Sequence, residues 1–239
     1  MIKVSGLTKS FGDNKVLDGL SFEVAGGEVV AVMGSSGTGK SVLLLQMVGL
    51  IVPDAGEIEI DGVKVTSLTE RELLGFRSRV GYLFQESALY DFMTVAENLA
   101  FPLREHTKMT TAEIGSKVAQ FLEYVDMPAE GDKYPSQLSG GMRKRAALAR
   151  AMILGTRVLL CDEPTSGLDP IRSRDISLLI RDLSKKLGCT TVITTHDVVN
   201  AFRTADRTLV LDSGRIVAQG VEKDLRASTD PFVKEFLEG

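Results

Sequence analysis

Gly34-Ser35-Ser36-Gly37-Thr38-Gly39-Lys40-Ser41 follows the apolar run Glu28 to Met33 and precedes Ser41 to Leu50, a stretch of helical composition. The octapeptide fits G-x-x-x-x-G-K-[ST] in the strand-to-helix context that the pattern requires. Its glycines let backbone N–H groups converge on phosphate oxygens at a helix N-terminus. Lys40 can reach the β and γ phosphates, and the Ser41 hydroxyl can ligate magnesium. Gly34, Ser35, Ser36, Gly37, Thr38, Gly39, Lys40 and Ser41 are therefore expected to hold Mg-ATP.

Working outward, Lys15 to Val24 reads as a strand, Gly26-Gly27 as a reversal and Glu28 to Met33 as a second strand, a first expected hairpin. A second hairpin is expected in Gly56 to Ile60, Asp61-Gly62 and Val63 to Val65, because Asp-Gly between alternating strands favours a tight turn with positive φ. In the middle of the chain Ile114, Val118, Phe121, Leu122 and Val125 recur at three- and four-residue steps, which predicts an amphipathic helix from about Ala112 to Met127. Strands return at Arg157 to Cys161, Thr190 to Thr194 and Thr208 to Leu211, with a helix from Arg172 to Leu187 between the first two. Apolar strands alternating with helices predict an α/β fold with a mainly parallel sheet covered on both faces.

The 239 residues, 44% hydrophobic and 25% charged, suit one domain with a subdomain. A formal net charge of −4 leaves no surplus of Lys and Arg to neutralise a nucleic-acid backbone, so nucleic acid is not an expected partner. Cys161 and Cys189 lie in apolar or β-rich stretches without metal-ligand spacing and read as buried, reduced thiols, which fits the cytoplasm. Met1 to Ser5 lacks the pattern of a signal peptide. The richest apolar run, Val42 to Val52, is broken by Gln46 and Gly49 and is too short to span a bilayer. Work at a membrane is thus expected to need another chain.

Val158 to Glu163 is an apolar strand that ends in two adjacent carboxylates, at the strand end where ligands gather in parallel sheets. Asp162 is expected to hold magnesium, and Glu163 to orient or deprotonate an attacking water. His196 follows the strand Thr190 to Thr194 at the same predicted sheet edge, within reach of the γ phosphate. Gln85, after the strand Val80 to Phe84, offers an amide to magnesium or the water, whereas His106 reads as a surface residue. Leu138-Ser139-Gly140-Gly141-Met142-Arg143 opens a helix to Ile153, with Ser139 as its cap and two glycines exposing its first N–H groups. That second anion site can serve a nucleotide from another copy of the chain.

In that order, the phosphate loop, Gln85, Leu138 to Arg143, Asp162-Glu163, Ser166 to Asp169 and His196 resemble the nucleotide-binding subunit of ATP-binding-cassette (ABC) transporters. The resemblance implies a RecA-like P-loop NTPase core with an antiparallel β-subdomain (residues 1–85 and 157–239) and an inserted α-helical subdomain (86–156). It implies a head-to-tail homodimer sandwiching two ATP molecules, each between one subunit's phosphate loop and the other's Ser139, Gly140 and Gly141. Phe11 stands where such subunits place an aromatic ring against adenine, and Asp169 where they couple the two sites. Met142 replaces the glutamine usual in that signature. Glu163, His196, Gln85 and Lys40 are thus the catalytic candidates, and Ser41, Gln85 and Asp162 the metal candidates.

A narrower similarity lies in Ala88 to Asp91, Thr94-Val95, Glu97-Asn98 and Ala100 to Thr107, which resemble the ATPases of Mla/Mce-type lipid transporters. This resemblance implies a phospholipid cargo, an integral-membrane permease, a lipid-binding MCE-type component and a peripheral place on the cytoplasmic face of a bacterial inner membrane. An amino-acid or other small-solute importer shares most of the motifs. A soluble ABC protein acting on nucleic acid or ribosomes fits less well, because only about a hundred residues separate Lys40 from Ser139, too few for an inserted coiled coil.

Overall fold

The computed structural model describes residues 1–238. Strands β1 (Ile2–Phe11) and β2 (Asn14–Val24) precede β3 (Val29–Met33), the phosphate loop and α1 (Lys40–Met47). Next come β4 (Ala55–Ile60), β5 (Val63–Lys64), α2 (Glu70–Arg77) and β6 (Val80–Leu83). The central helices are α3 (Val95–His106), α4 (Thr111–Tyr124) and α5 (Gly140–Met152). The chain then runs through β7 (Val158–Asp162), α6 (Pro170–Leu187), β8 (Thr190–Thr195) and α7 (Val198–Thr204). It finishes with β9 (Arg207–Asp212), β10 (Arg215–Gly220), α8 (Glu222–Arg226) and α9 (Pro231–Glu238).

Two sheets organise these elements. A six-stranded sheet has the order β10-β9-β3-β8-β7-β6, parallel from β9 to β6 with β10 antiparallel at one edge. A four-stranded antiparallel sheet has the order β2-β1-β4-β5. Every residue of β3, β7 and β8 is buried, as a parallel sheet covered on both faces requires. Alternation along β7 divides the interior: Val158 and Leu160 join the core beneath α1 and the antiparallel sheet, while Leu159 and Cys161 join the core shared with α3 to α6.

The first expected hairpin does not form. β2 pairs with β1, with Leu20 opposite Leu7 and Val24 opposite Ile2, whereas β3 lies in the other sheet between β8 and β9. Gly26-Gly27 is a passage between sheets, with Gly27 at φ 73° and its N–H on Thr190 Oγ1 at 3.0 Å. Five consecutive apolar residues in β3 need burial on both faces, which a strand of the half-solvated antiparallel sheet could not give them. The second hairpin is present: Asp61 and Gly62 both take positive φ, 48° and 78°, and Ile60 faces Val63. Its second strand stops at Lys64, and Val65 begins a single 3₁₀ turn.

The helical region 95–152 packs on β6 and β7 through α5, and the contact is close at one glycine. A Cβ on Gly81 would lie 2.4 Å from the Ala151 carbonyl oxygen of α5. Gly81→Ala must therefore push helix from strand, and we expect a loss of about 1–3 kcal/mol in chemical denaturation. Between Lys40 and Ser139 the longest helix, α4, has 14 residues, so no coiled-coil arm is inserted there. Among the described residues no helix is long and apolar enough to cross a membrane.

Candidate active site

The loop after β3 is shaped by what its glycines avoid. A side chain on Gly34 would meet the Leu211 carbonyl oxygen at 2.4 Å, and one on Gly39, at φ 98°, would meet Val16 and Leu17 at under 3.0 Å. Gly39 caps α1 without a side-chain bond, so the first N–H groups of that helix stay free for an anion. Lys40, although 6% exposed, folds back over the loop and donates from Nζ to the carbonyl oxygens of Gly34 (2.8 Å) and Ser35 (2.9 Å).

Opposite the loop, parallel pairing of β7 with β8 sets Asp162 beside Thr194. Asp162 Oδ1 accepts from Ser41 Oγ at 2.9 Å and from Thr194 Oγ1 at 2.7 Å. Glu163 stands just beyond the strand at φ 43°, a left-handed conformation that costs a non-glycine residue energy unless its surroundings hold it. Its N–H donates to the Thr194 carbonyl oxygen at 3.0 Å, which supplies that hold. The turn aims the carboxylate into the cleft, where Oε1 lies 3.3 Å from Lys40 Nζ and Oε2 lies 2.9 Å from His196 Nδ1. Burial raises the pKa of the Cys161 thiol, and that of the Tyr82 hydroxyl with help from the nearby Asp162 carboxylate, so both are neutral neighbours of this acid pair.

A cleft of about 550 Å³ gathers Phe11, Ser36, Gly37, Gly39 to Ser41, Gln85, Glu163, Ser166 and His196, and Gln85 Nε2 donates to Ser166 Oγ at 3.3 Å. Phe11 is half exposed on the rim, a ring available for stacking. The donor set fits a nucleotide with a hard cation: Ser41 and Asp162 bring two oxygens together, and magnesium characteristically takes one or two protein oxygens plus phosphates and water. Among the described residues no cluster of three or more His, Cys, Asp or Glu side chains offers a denser, metal-only cage.

Ser139, Gly140, Gly141 and Asp169 are absent from that cleft. Ser139 caps α5, accepting from the Met142 N–H at 3.3 Å, and faces a separate recess of about 120 Å³ shared with Met142, Arg145 and Arg172. Asp169 caps α6 through the N–H groups of Ile171 and Arg172, and the Arg172 bond foremost holds its carboxyl below the usual range. His106 is exposed at the end of α3, beside a groove of about 580 Å³ that also meets Leu74, Phe84, Tyr90, Phe101 and Arg150. Thr194 escaped the sequence reading, since its place beside Asp162 depends on strand register.

The family profile described as ABC transporter matches residues 17–166. Over its whole length the chain is 42% identical to the "Probable ribonucleotide transport ATP-binding protein mkl" of Mycobacterium leprae, covering 69% of that protein. It is 41% identical over 95% of its length to the "Intermembrane phospholipid transport system ATP-binding protein MlaF" of Escherichia coli, covering 85% of that protein. The dimeric post-hydrolysis structure of the ATP-binding cassette MJ0796 with ADP and Pi superposes with a TM-score of 0.84 at 31% identity, over 92% of this chain and 98% of that one.

Proposed function

The chain belongs to the ABC transporter family of ATPase subunits, and from that premise we propose that it energises phospholipid movement through a separate permease. One observation carries the hydrolytic part of this reading. Lys40, Ser41, Glu163 and His196 line one cleft, with Asp162 bonded to Ser41, while Ser139 lines a separate recess. One chain thus supplies two different half-sites, and a head-to-tail pair of copies brings each phosphate loop to the other's signature.

In this reading residues 1–85 and 157–239 form the nucleotide-holding body, and 86–156 the subdomain that presents the signature. The phosphate loop and Lys40 bind the triphosphate, with Phe11 against the base. Ser41 and Asp162, with Gln85 nearby, would hold magnesium, which would neutralise charge on the phosphates. Glu163 accepts the proton of the attacking water, and His196, bonded to Glu163, steadies that water near the γ phosphate. Ser139, Gly140 and Gly141 of the second copy complete the phosphate cradle, and Asp169 couples the two sites.

The groove beside α3 is our choice for the permease contact. Its lining includes Phe84 and Ala88, on either side of Gln85, and Leu74 and Phe92 stand largely exposed near it, 65% and 75%. Membrane attachment through a partner also agrees with the absence of a spanning helix among the described residues. The subunit then sits peripherally on the cytoplasmic face of a bacterial inner membrane, with an MCE-type component handling the lipid.

The MlaF similarity and the Phe101 to Thr107 segment support phospholipid as cargo. The ribonucleotide transport named for the mycobacterial relative favours a small solute instead, and the chain covers only about two thirds of that protein. Reconstitution decides between them. With a permease and an MCE-type lipid-binding protein supplied, ATPase activity in proteoliposomes is expected to rise when phospholipid acceptor is added. Activity indifferent to phospholipid but raised by a nucleotide or amino acid rejects the lipid cargo.

A further inference from the structure

Helix α5 grips the segment that follows β6 with two cations. Lys144 is only 5% exposed, and its ammonium donates to the carbonyl oxygen of Gln85. Further along the same helix Arg150 donates to the carbonyl oxygen of Ser87 at 3.3 Å and to Asn98 Oδ1 at 3.4 Å. At the second backbone anchor and just after it the chain takes positive φ at two successive non-glycine residues, Ser87 (65°) and Ala88 (50°). Such a backbone persists only where its surroundings impose it, and the two side chains of α5 supply that constraint.

A buried ammonium cannot easily be left without an acceptor. Burial lowers the pKa of Lys144, while the carboxylates of Glu86, Asp162 and Glu163 act in the opposite sense. Lys144 does not line the cleft itself; it reaches it only through the Gln85 backbone. If the Gln85 backbone shifts, the ammonium must follow it or lose the acceptor, and following means moving α5.

The two ends of this linkage belong to different nucleotides. The Gln85 side chain lines the chain's own phosphate cleft, whereas Ser139, five residues before Lys144, begins α5 at the separate recess. About 7–8 Å of regular helix joins Ser139 to Lys144, too short a length to bend appreciably. We propose that Lys144 is a positioning residue that ties Gln85 in one nucleotide site to the signature presented to the other, so that closure at one site sets the second. This rests on the head-to-tail dimer proposed above.

The test compares full-length wild type, Lys144→Met and Lys144→Arg for binding of a fluorescent ATP analogue, ATP dependence of turnover and thermal stability. Lys144→Met is expected to bind within about twofold of wild type, to lose about tenfold in kcat, and to drop from a Hill coefficient near two to about one. Lys144→Arg, which keeps the charge and the donors, restores both kcat and cooperativity. Wild-type kcat and cooperativity in Lys144→Met overturn the proposal, as does a wild-type Hill coefficient of one. Equal losses of binding and stability in the Met and Arg variants assign Lys144 to packing alone and also overturn it. Should Lys144→Met not fold, Lys144→Gln provides the neutral side chain, and failure of both neutral variants to fold has the same consequence. An ATP-dependent dimer of the Glu163→Gln chain checks the dimer reading separately. With that dimer present, unchanged Lys144 variants sink this linkage only; without it, both ideas fall.

Discussion

Glu163→Gln is expected to lower ATP turnover by about 10²–10⁴-fold while leaving nucleotide affinity within a few-fold of wild type. The size follows from the chemistry lost. Glutamine keeps the shape of the side chain, and its carbonyl oxygen can still hold a water, but it cannot accept that water's proton. The left-handed turn at Glu163 is fixed by backbone bonds to Thr194, so the substitution should not move the chain. Removing a negative charge 3.3 Å from Lys40 Nζ also frees that ammonium for the phosphates, which favours the bound state. ATP-loaded pairs of chains should therefore accumulate, seen as a dimer in size-exclusion chromatography with ATP and a monomer without it. Turnover at the wild-type rate would show that another group takes the proton.

Lys40→Ala acts one step earlier, on binding. Lys40 is buried and already holds the carbonyl oxygens of Gly34 and Ser35, so the ammonium stands ready above the loop before any phosphate arrives. Charge-assisted hydrogen bonds to phosphate contribute about 1.5–3 kcal/mol each, so alanine should weaken ATP affinity by about 10²-fold or more. Equilibrium titration with a fluorescent nucleotide measures this directly. The variant also strips Glu163 of a buried partner, so thermal unfolding without nucleotide must be followed alongside. Unchanged affinity in a folded Lys40→Ala chain would place the phosphates elsewhere.

Residues whose chemistry is local were legible in the sequence. The phosphate loop needs its glycines wherever it occurs, and an apolar strand ending in Asp162-Glu163 announces a sheet edge. The Asp61-Gly62 turn was equally plain, because both residues must take positive φ. What escaped depends on distant pairing. Gly26-Gly27 looks the same whether the chain folds back on its own strand or crosses to another sheet, and only the full burial of β3 decides. β1 was missed because only Ile2, Val4 and Leu7 of its ten residues are buried. α3 was missed despite a readable start, Thr94 bonded reciprocally with Glu97, since Pro102 interrupts the expected helical pattern. Lys144 carried no signal in the sequence, because its acceptor, the Gln85 carbonyl oxygen, lies 59 residues away along the chain.

The recess at Ser139 lies apart from the phosphate cleft of the same chain, and in the proposed pairing this makes catalysis depend on local concentration. Free chains meet by diffusion, so their specific activity should fall on dilution. Two chains seated on one permease face each other at an effective concentration in the millimolar range. The membrane partner then acts as a concentrator as well as a conduit, and a subunit made in excess of its permease stays nearly idle and leaves the cell's ATP intact.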